Sequence, residues 1–431
     1  MVKATGWRER LQNIASAIQG NKYVSAVSNG LAASLAVILV GAIFTLIDSI
    51  EIPAYQSFLE ATGLKLLTEI PASITIDILS LYVVFGIAYT LVREFDLYGF
   101  PAGLIALMSF LILTPVGLLD DGETIALSFE WLGASGLFVA ILTGLLVGRI
   151  YVFVINKGIY IRMPQGVPPT ITRTFASLTP AFIIVFLFLA IRGIFHVTPF
   201  ENIHEFIYSM VQAPLVTLGG SWWAFVILPV VISILWFFGI HGMLVVMGVM
   251  MPIWTALRLE NLSAFQAGEQ LPHLFPGSSF IMTYTALGGS GATIGLAVLM
   301  LMARSERYKT LGRLAIVPSA CNINEPVIFG TPVVLNIRLL IPVIAAPLVV
   351  TILAMIATAT GLVPPLRGIG APLGTPIFIN GFIEGGWRVS VLQGVLLLVS
   401  LLIYLPFFRL LDREATSVEE EGEKSEQETA V

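Results

Sequence analysis

Between Pro318 and Gly330 the chain reads Pro-Ser-Ala-Cys-Asn-Ile-Asn-Glu-Pro-Val-Ile-Phe-Gly, which sets Asn322, Asn324 and Glu325 beside Pro326 in apolar surroundings. Proline lacks an N–H and disfavours helix at the residue before it, so carbonyls and side-chain amides near Glu325 are left free to meet a ligand. A carboxylate flanked by amides offers acceptors and donors together, which suits the hydroxyls of an uncharged sugar. The alternative is a solvated Glu in a cytoplasmic loop. An ionisable residue within a membrane segment is a functional candidate by default, and that favours the sugar.

His241 sits in Trp236-Phe-Phe-Gly-Ile-His-Gly242, an almost wholly apolar run. An imidazole titrates near ~6.5 and can take a proton from a hydroxyl, though a lone His is as often a packed residue. Gly239 and Gly242 on either side fit a chain break or a close backbone approach, which tilts the reading toward a site. The third feature is Gly288-Gly-Ser-Gly-Ala-Thr293, placed between the apolar arms Phe280–Leu287 and Ile294–Met302. Small residues let the chain reverse inside a membrane, and N–H groups at the start of the following half-helix can meet a polar or anionic group. The bland reading is small-residue helix packing. No Lys-Ser or Lys-Thr follows, so the run is not a phosphate-binding Walker loop. Asp77, Glu384 and Arg388 also fall in apolar stretches; a helix-start or interface role fits Asp77, and a span-end position fits the other two.

The elements that must position these residues follow from composition. Of 431 residues 57% are hydrophobic and 11% charged, against about 25% charged in a soluble domain, and the mean hydropathy is +0.92. Lipid is therefore the main solvent. One Cys and four scattered His give no disulfide framework and no metal-ligand spacing, so no metal and no cofactor are expected. The net charge of -5 owes much to Glu419, Glu420, Glu421, Glu423, Glu426 and Glu428, read as a disordered acidic tail over 414–431. No nucleic-acid partner is expected.

A helical span takes about 20 apolar residues. Such runs fall near 24–50, 72–92, 100–119, 131–156, 175–195, 220–240, 242–257, 333–362 and 386–408, and shorter runs interrupted by Gly, Pro and Asn near 278–303 and 312–331 read as re-entrant or broken helices. The first run is too long for a cleaved signal and reads as a retained span. Lys and Arg cluster around 8–22, 149–173, 304–313 and 409–413, which predicts these loops and both termini on the cytoplasmic side. Termini on one side require an even number of crossings; ten is the expectation, with eight the alternative. Trp222, Trp223 and Trp254 fit interface anchors. The fold class is thus all-α polytopic membrane protein. The segments are a cytoplasmic lead at 1–22, an N-terminal transmembrane half at 23–196, an amphipathic connector at 197–218, and a C-terminal half with the interrupted helices at 219–413.

Gly239-Ile-His-Gly242, the glycine run and Asn322-Ile-Asn-Glu-Pro-Val-Ile-Phe-Gly-Thr-Pro-Val-Val-Leu-Asn336 together resemble, in order and spacing, the membrane IIC subunits of the bacterial phosphoenolpyruvate-dependent sugar phosphotransferase system, in the lactose/cellobiose/diacetylchitobiose family. The resemblance covers most of the chain, and its Asn-Glu-Pro block is the specific part. It implies about ten spanning helices with two re-entrant hairpins, a homodimer joined through the N-terminal halves, and a sugar site in the C-terminal half. It implies that His241 and Glu325 contact the sugar near its C6 hydroxyl, which a phosphocysteine on a partner IIB subunit phosphorylates. With it go Asn322, Asn324, Gly289 and Ser290 as sugar-binding residues, IIA and IIB as separate chains, and a bacterial cytoplasmic membrane. Two departures stand out: Pro372-Leu-Gly-Thr-Pro376 where the family often has Pro-Trp-Thr-Thr-Pro, and Leu335-Asn-Ile-Arg338 where it commonly has Leu-Asn-Pro. Leu373 thus replaces a Trp able to stack on a sugar face. The rival readings are an ion-coupled secondary sugar carrier, in which Glu325 and His241 titrate, and a membrane-embedded sensor that binds sugar without moving it.

Overall fold

The structure is a computed structural model that describes residues 10, 13–14, 16–18, 20–48, 52–118, 125–127, 129–331, 336–372 and 374–429. Leu373, Leu335 and most of the segment 1–22 lie outside the described residues. Among those described, six helices are long and apolar enough to cross a membrane: Lys22–Asp48, Ala134–Asn156, Pro169–His196, Gly242–Gln266, Arg338–Ala359 and Trp387–Glu421. A seventh span arises if Ile203–Gly219 and Trp222–Phe237, bent by 67° at their junction, are taken as one.

Two of the runs read from sequence, near 72–92 and 100–119, yield the shorter helices Leu79–Arg93 and Phe100–Leu113, of 15 and 14 residues. At 1.5 Å per residue each reaches about 21–23 Å, short of the hydrocarbon thickness of roughly 30 Å. The first of these starts late for a tertiary reason. Leu64–Ser73 is a separate helix, the chain turns at 74–78, and Ser80 then donates from its N–H to Leu132 O and from its hydroxyl to Gly133 O, both at 2.7 Å. A loop 53 residues further on therefore decides where the helix begins.

The chain divides into two compact units. One is built from Ile18–Leu218 with Gly248–Gln270, the other mainly from Gly219–Met247 with Leu271–Val431. Segment 248–270, expected in the C-terminal half, thus packs with the N-terminal one. In that N-terminal unit small residues set the helix spacing. A Cβ on Gly30 would stand 2.5 Å from the Ile87 side chain, and one on Gly144 would stand 3.0 Å from Ile87 on its other side. Close approach of backbones replaces the hydrophobic drive that helices lack in lipid. Asp77 is half-buried and accepts from Gln266 Nε2 at 3.3 Å, in keeping with the structural role expected for it. A two-stranded antiparallel ribbon, Val116–Leu118 against Ile125–Leu127, is an addition that the sequence reading lacked.

The connector expected as an amphipathic stretch at 197–218 is helical in pieces, with Ile203–Ile207, a π turn at Tyr208–Gln212 and Ala213–Gly219. The acidic segment expected to be disordered over 414–431 is helical as far as Thr429, continuing the last helix, Trp387–Thr429; residues 430–431 lie outside the described residues. Its carboxylates have partners. Within it Glu419 accepts from the N–H groups of Glu306 and Arg307 at 3.0 Å, and just ahead of it Asp412 accepts from those of Arg304 and Ser305. These are the orphan donors at the start of the Glu306–Ala320 helix, where negative charge is also favoured by the helix dipole.

Candidate functional site

The site is built within the C-terminal unit. A first arm, Gly277–Phe280 continued by a π turn over Ile281–Thr285, runs into the glycine reversal and returns as Ile294–Leu301. The reversal needs glycine. Gly288, Gly289 and Gly291 have φ of 76°, 95° and 87°, in the left-handed region that other residues avoid. A Cβ on Gly289 would also lie 2.5 Å from Asn324 Cγ. The last helix fixes the tip, with the Tyr404 hydroxyl donating to Gly291 O at 2.7 Å and the Ser400 hydroxyl to Ala292 O at 2.5 Å.

Asn322 and Asn324 close this hairpin from the other side. Asn322, itself left-handed at φ 61°, accepts from Gly288 N–H at 2.9 Å and donates to Met282 O at 3.3 Å. The Asn324 amide donates to Ser290 O at 2.6 Å. The sequence reading gave both amides to the sugar; the structure engages them with the hairpin backbone, which makes them the groups that hold the reversal beside Glu325. Two of the N–H groups at the reversal are engaged as well, Gly289 N donating to Ala286 O and Ile294 N to Leu287 O. Gly289 and Ser290, expected to touch sugar, serve here as backbone against Asn324.

Glu325 opens the short helix Glu325–Gly330, whose second residue is Pro326. Its Oε1 lies 3.5 Å from His241 Nε2, so the structure does bring together the two residues that the sequence paired only through resemblance. Its Oε2 is shielded from solvent and has no hydrogen-bond partner, although the side chain as a whole is 45% exposed. A screened carboxylate oxygen without a donor is costly and chemically ready to accept one.

His241 is held by its surroundings. It follows a left-handed Gly239 at φ 78°, and a Cβ on Gly242 would stand 2.2 Å from Ile232 O, so only glycine lets the chain pass. The imidazole packs on Trp236 with ring centroids 4.5 Å apart, and Trp236 meets Phe329 edge-on at 6.2 Å. Leu244 N–H points at His241 Nδ1 at 3.3 Å. A ring nitrogen that accepts is unprotonated, so this bond assigns the proton of a neutral imidazole to Nε2, the atom facing Glu325. Trp236, Tyr404 and Ser400 were not singled out from sequence; Trp236 lies five residues before His241 in a run where every neighbour is also apolar, and nothing marks it. Cys321 is a half-buried free thiol next to Asn322.

Glu384 stands three residues before the last span, as expected, but is buried instead of lying at an interface. It is 1% exposed, and it accepts hydrogen bonds from Gly370 N–H at 2.7 Å, Gly368 N–H at 3.2 Å and the Ser279 hydroxyl at 3.0 Å. Arg388 lies over the Trp387 ring, its guanidinium carbon 5.7 Å from the centroid, and touches none of these groups in the hydrogen bonds described.

Interrupted helices in a polytopic protein, with a His–carboxylate pair beside a glycine reversal, define a membrane carrier for a polar solute. The family model for the phosphotransferase system EIIC matches residues 28–347, and the chain belongs to that family. It is 38% identical to the lichenan permease IIC component of Bacillus subtilis (strain 168), over 96% of this chain and 95% of that protein. It is 36% identical to the cellobiose-specific EIIC component of Geobacillus stearothermophilus, again over 96% and 95%. The crystal structure of the transporter ChbC, the IIC component from the N,N'-diacetylchitobiose-specific phosphotransferase system, superposes with a TM-score of 0.87 at 36% identity, covering 95% of this chain and 98% of that one. The protein is a sugar permease of the phosphotransferase system, which sets aside the ion-coupled carrier.

Proposed function

We propose that this permease translocates a β-linked disaccharide of the cellobiose or diacetylchitobiose type and presents its C6 hydroxyl for phosphorylation by a IIB partner, itself recharged by IIA. The relatives named for cellobiose and diacetylchitobiose, each matched over nearly its whole length, support the substrate class. The observation that carries the mechanism is the approach of His241 Nε2 to within 3.5 Å of Glu325 Oε1, with Glu325 Oε2 left unpartnered.

In this reading the sugar hydroxyl donates to Glu325 Oε2, while His241 holds the other carboxylate oxygen and fixes its direction. The hydroxyl oxygen attacks the phosphorus of the IIB phosphocysteine, the S–P bond breaks as the O–P bond forms, the thiolate leaves on IIB, and the hydroxyl proton passes to Glu325. Proton acceptance belongs to Glu325 rather than His241, because Nε2 already carries a proton. Asn322 and Asn324 act by keeping the reversal in place. Phosphorylation makes return of the sugar unfavourable, so no ion gradient is needed.

The permease sits in the bacterial cytoplasmic membrane with both termini and the basic clusters on the cytoplasmic side, by the positive-inside preference. It works as a homodimer joined through the N-terminal unit. Uptake coupled to IIB-dependent phosphorylation, measured across cellobiose, diacetylchitobiose, lactose and glucose, tests the substrate class. Preference for the first two is expected; preference for glucose would overturn it.

His241→Ala is expected to lower the phosphorylation rate roughly ten- to a hundredfold while changing sugar affinity less than about threefold, since it fixes the direction of the accepting carboxylate, a misplacement of about 1 Å at a reacting group costs up to about 10²-fold in rate, and other groups supply the hold. Single-turnover transfer from phosphorylated IIB, set beside equilibrium binding, separates the two. Equal losses in both would contradict the role.

A further inference from the structure

We infer that Glu384 is a positioning residue for the sugar site, a buried carboxylate that locks the first arm of the glycine hairpin to the loop before the Ile377–Gly385 helix; this rests on the site proposed above. The stretch 364–372 has neither helix nor strand, yet Leu366 and Ile369 are each 1% exposed. Backbone buried this way must find partners for its N–H groups. Gly368 and Gly370, left-handed at φ 77° and 73°, aim two of them at Glu384. Two N–H groups two residues apart thus bind the two oxygens of one carboxylate, a concavity suited to an anion.

The third donor links this loop to the site. Ser279, in the first arm, donates to the same Oε1 that takes Gly370 N–H. Two neighbours reinforce the grip, with the Thr283 hydroxyl on Asn380 Oδ1 at 3.2 Å and Gln393 Nε2 on Thr283 O at 2.8 Å. On its far side the same arm gives Met282 O to Asn322, whose own Oδ1 holds Gly288 N–H. The arm is thus clamped between Glu384 and the residue three places before Glu325. A wholly buried charge is expensive and needs full pairing. Three converging donors suit a carboxylate, whereas an amide would turn its NH₂ toward one of them.

The single native thiol, Cys321, lies next to Asn322 and reports the hairpin's position without sugar. In purified full-length protein well below its melting temperature, Glu384→Gln is expected to raise the maleimide reaction rate of Cys321 at least about threefold, as local opening exposes it. The same variant should weaken cellobiose binding at least about fivefold. Ser279→Ala, a milder change, should move both in the same direction. Leu396→Ala, which removes a buried side chain of the last helix, serves as the control for destabilisation alone and should move neither. Wild-type Cys321 reactivity in both Glu384→Gln and Ser279→Ala would overturn the inference, and so would an equal rise in Leu396→Ala. Because the thiol is read in the absence of sugar, failure of the wild-type protein to bind cellobiose would count against the proposed substrate and not against the clamp.

Discussion

Glu325→Gln lowers sugar affinity by at least about tenfold while the empty protein melts no lower than wild type. Gln keeps the size and the two-pronged shape of the side chain but exchanges a charged acceptor for a neutral amide. Hydrogen bonds to charged groups contribute roughly 1.5–3 kcal/mol against 0.5–1.5 for neutral ones, and about 1.4 kcal/mol is one decade in affinity. The amide also meets His241 Nε2–H and the sugar hydroxyl with only one accepting oxygen, so one of the two contacts is lost. Stability holds or rises because the shielded Oε2 no longer carries charge without a donor. Phosphoryl transfer falls further than binding, since the hydroxyl proton has lost its acceptor. Equilibrium binding to protein in detergent, with a melting curve alongside, checks the first two claims, and single-turnover transfer checks the third. Unchanged affinity with unchanged melting would place Glu325 outside the site.

Gly289→Leu abolishes transport while membrane insertion persists. Two independent obstacles act at this position. The backbone stands at φ 95°, which a β-carbon strains, and that carbon would lie 2.5 Å from Asn324 Cγ and 2.7 Å from its Oδ1. Asn324 must then leave Ser290 O, and the residue it precedes is Glu325. Gly291→Leu is expected to act more through backbone strain than through collision, because a β-carbon there meets neighbours only at 3.4 Å or beyond. Uptake in vesicles, normalised to inserted protein, measures the loss. Wild-type uptake by Gly289→Leu would return the reversal to ordinary helix packing.

The sequence was informative where physics is local. Long apolar runs gave the spanning helices, since length against hydrocarbon thickness needs no tertiary knowledge. Glycine in Gly288-Gly-Ser-Gly and proline beside Glu325 marked the two breaks in regular helix, since each acts on its own backbone. Partners across the fold were not legible. Asn322 and Asn324 read as sugar ligands because their amides stand in an apolar context; that they bond Gly288, Met282 and Ser290 depends on segments 34 to 40 residues away. Glu384 read as an interface residue for the same reason, and its three donors come from two other segments. The acidic tail read as disordered from composition alone, because the N–H groups that Glu419 bonds lie more than a hundred residues earlier in the chain. The pairing of His241 with Glu325 came from resemblance, and 3.5 Å between Nε2 and Oε1 gives it a geometry.

The central claim is that sugar held at Glu325 and His241 is moved as the substrate of a phosphoryl transfer. Its most direct test is the chemical form of the sugar that accumulates in vesicles containing this chain, supplied with radiolabelled cellobiose and phosphorylated IIB. Cellobiose phosphorylated at C6 is expected, its amount tracking the IIB phosphate consumed, unaffected by an uncoupler and lost in Glu325→Gln. Accumulation of unmodified cellobiose that collapses with the uncoupler and survives removal of IIB phosphate would contradict the account.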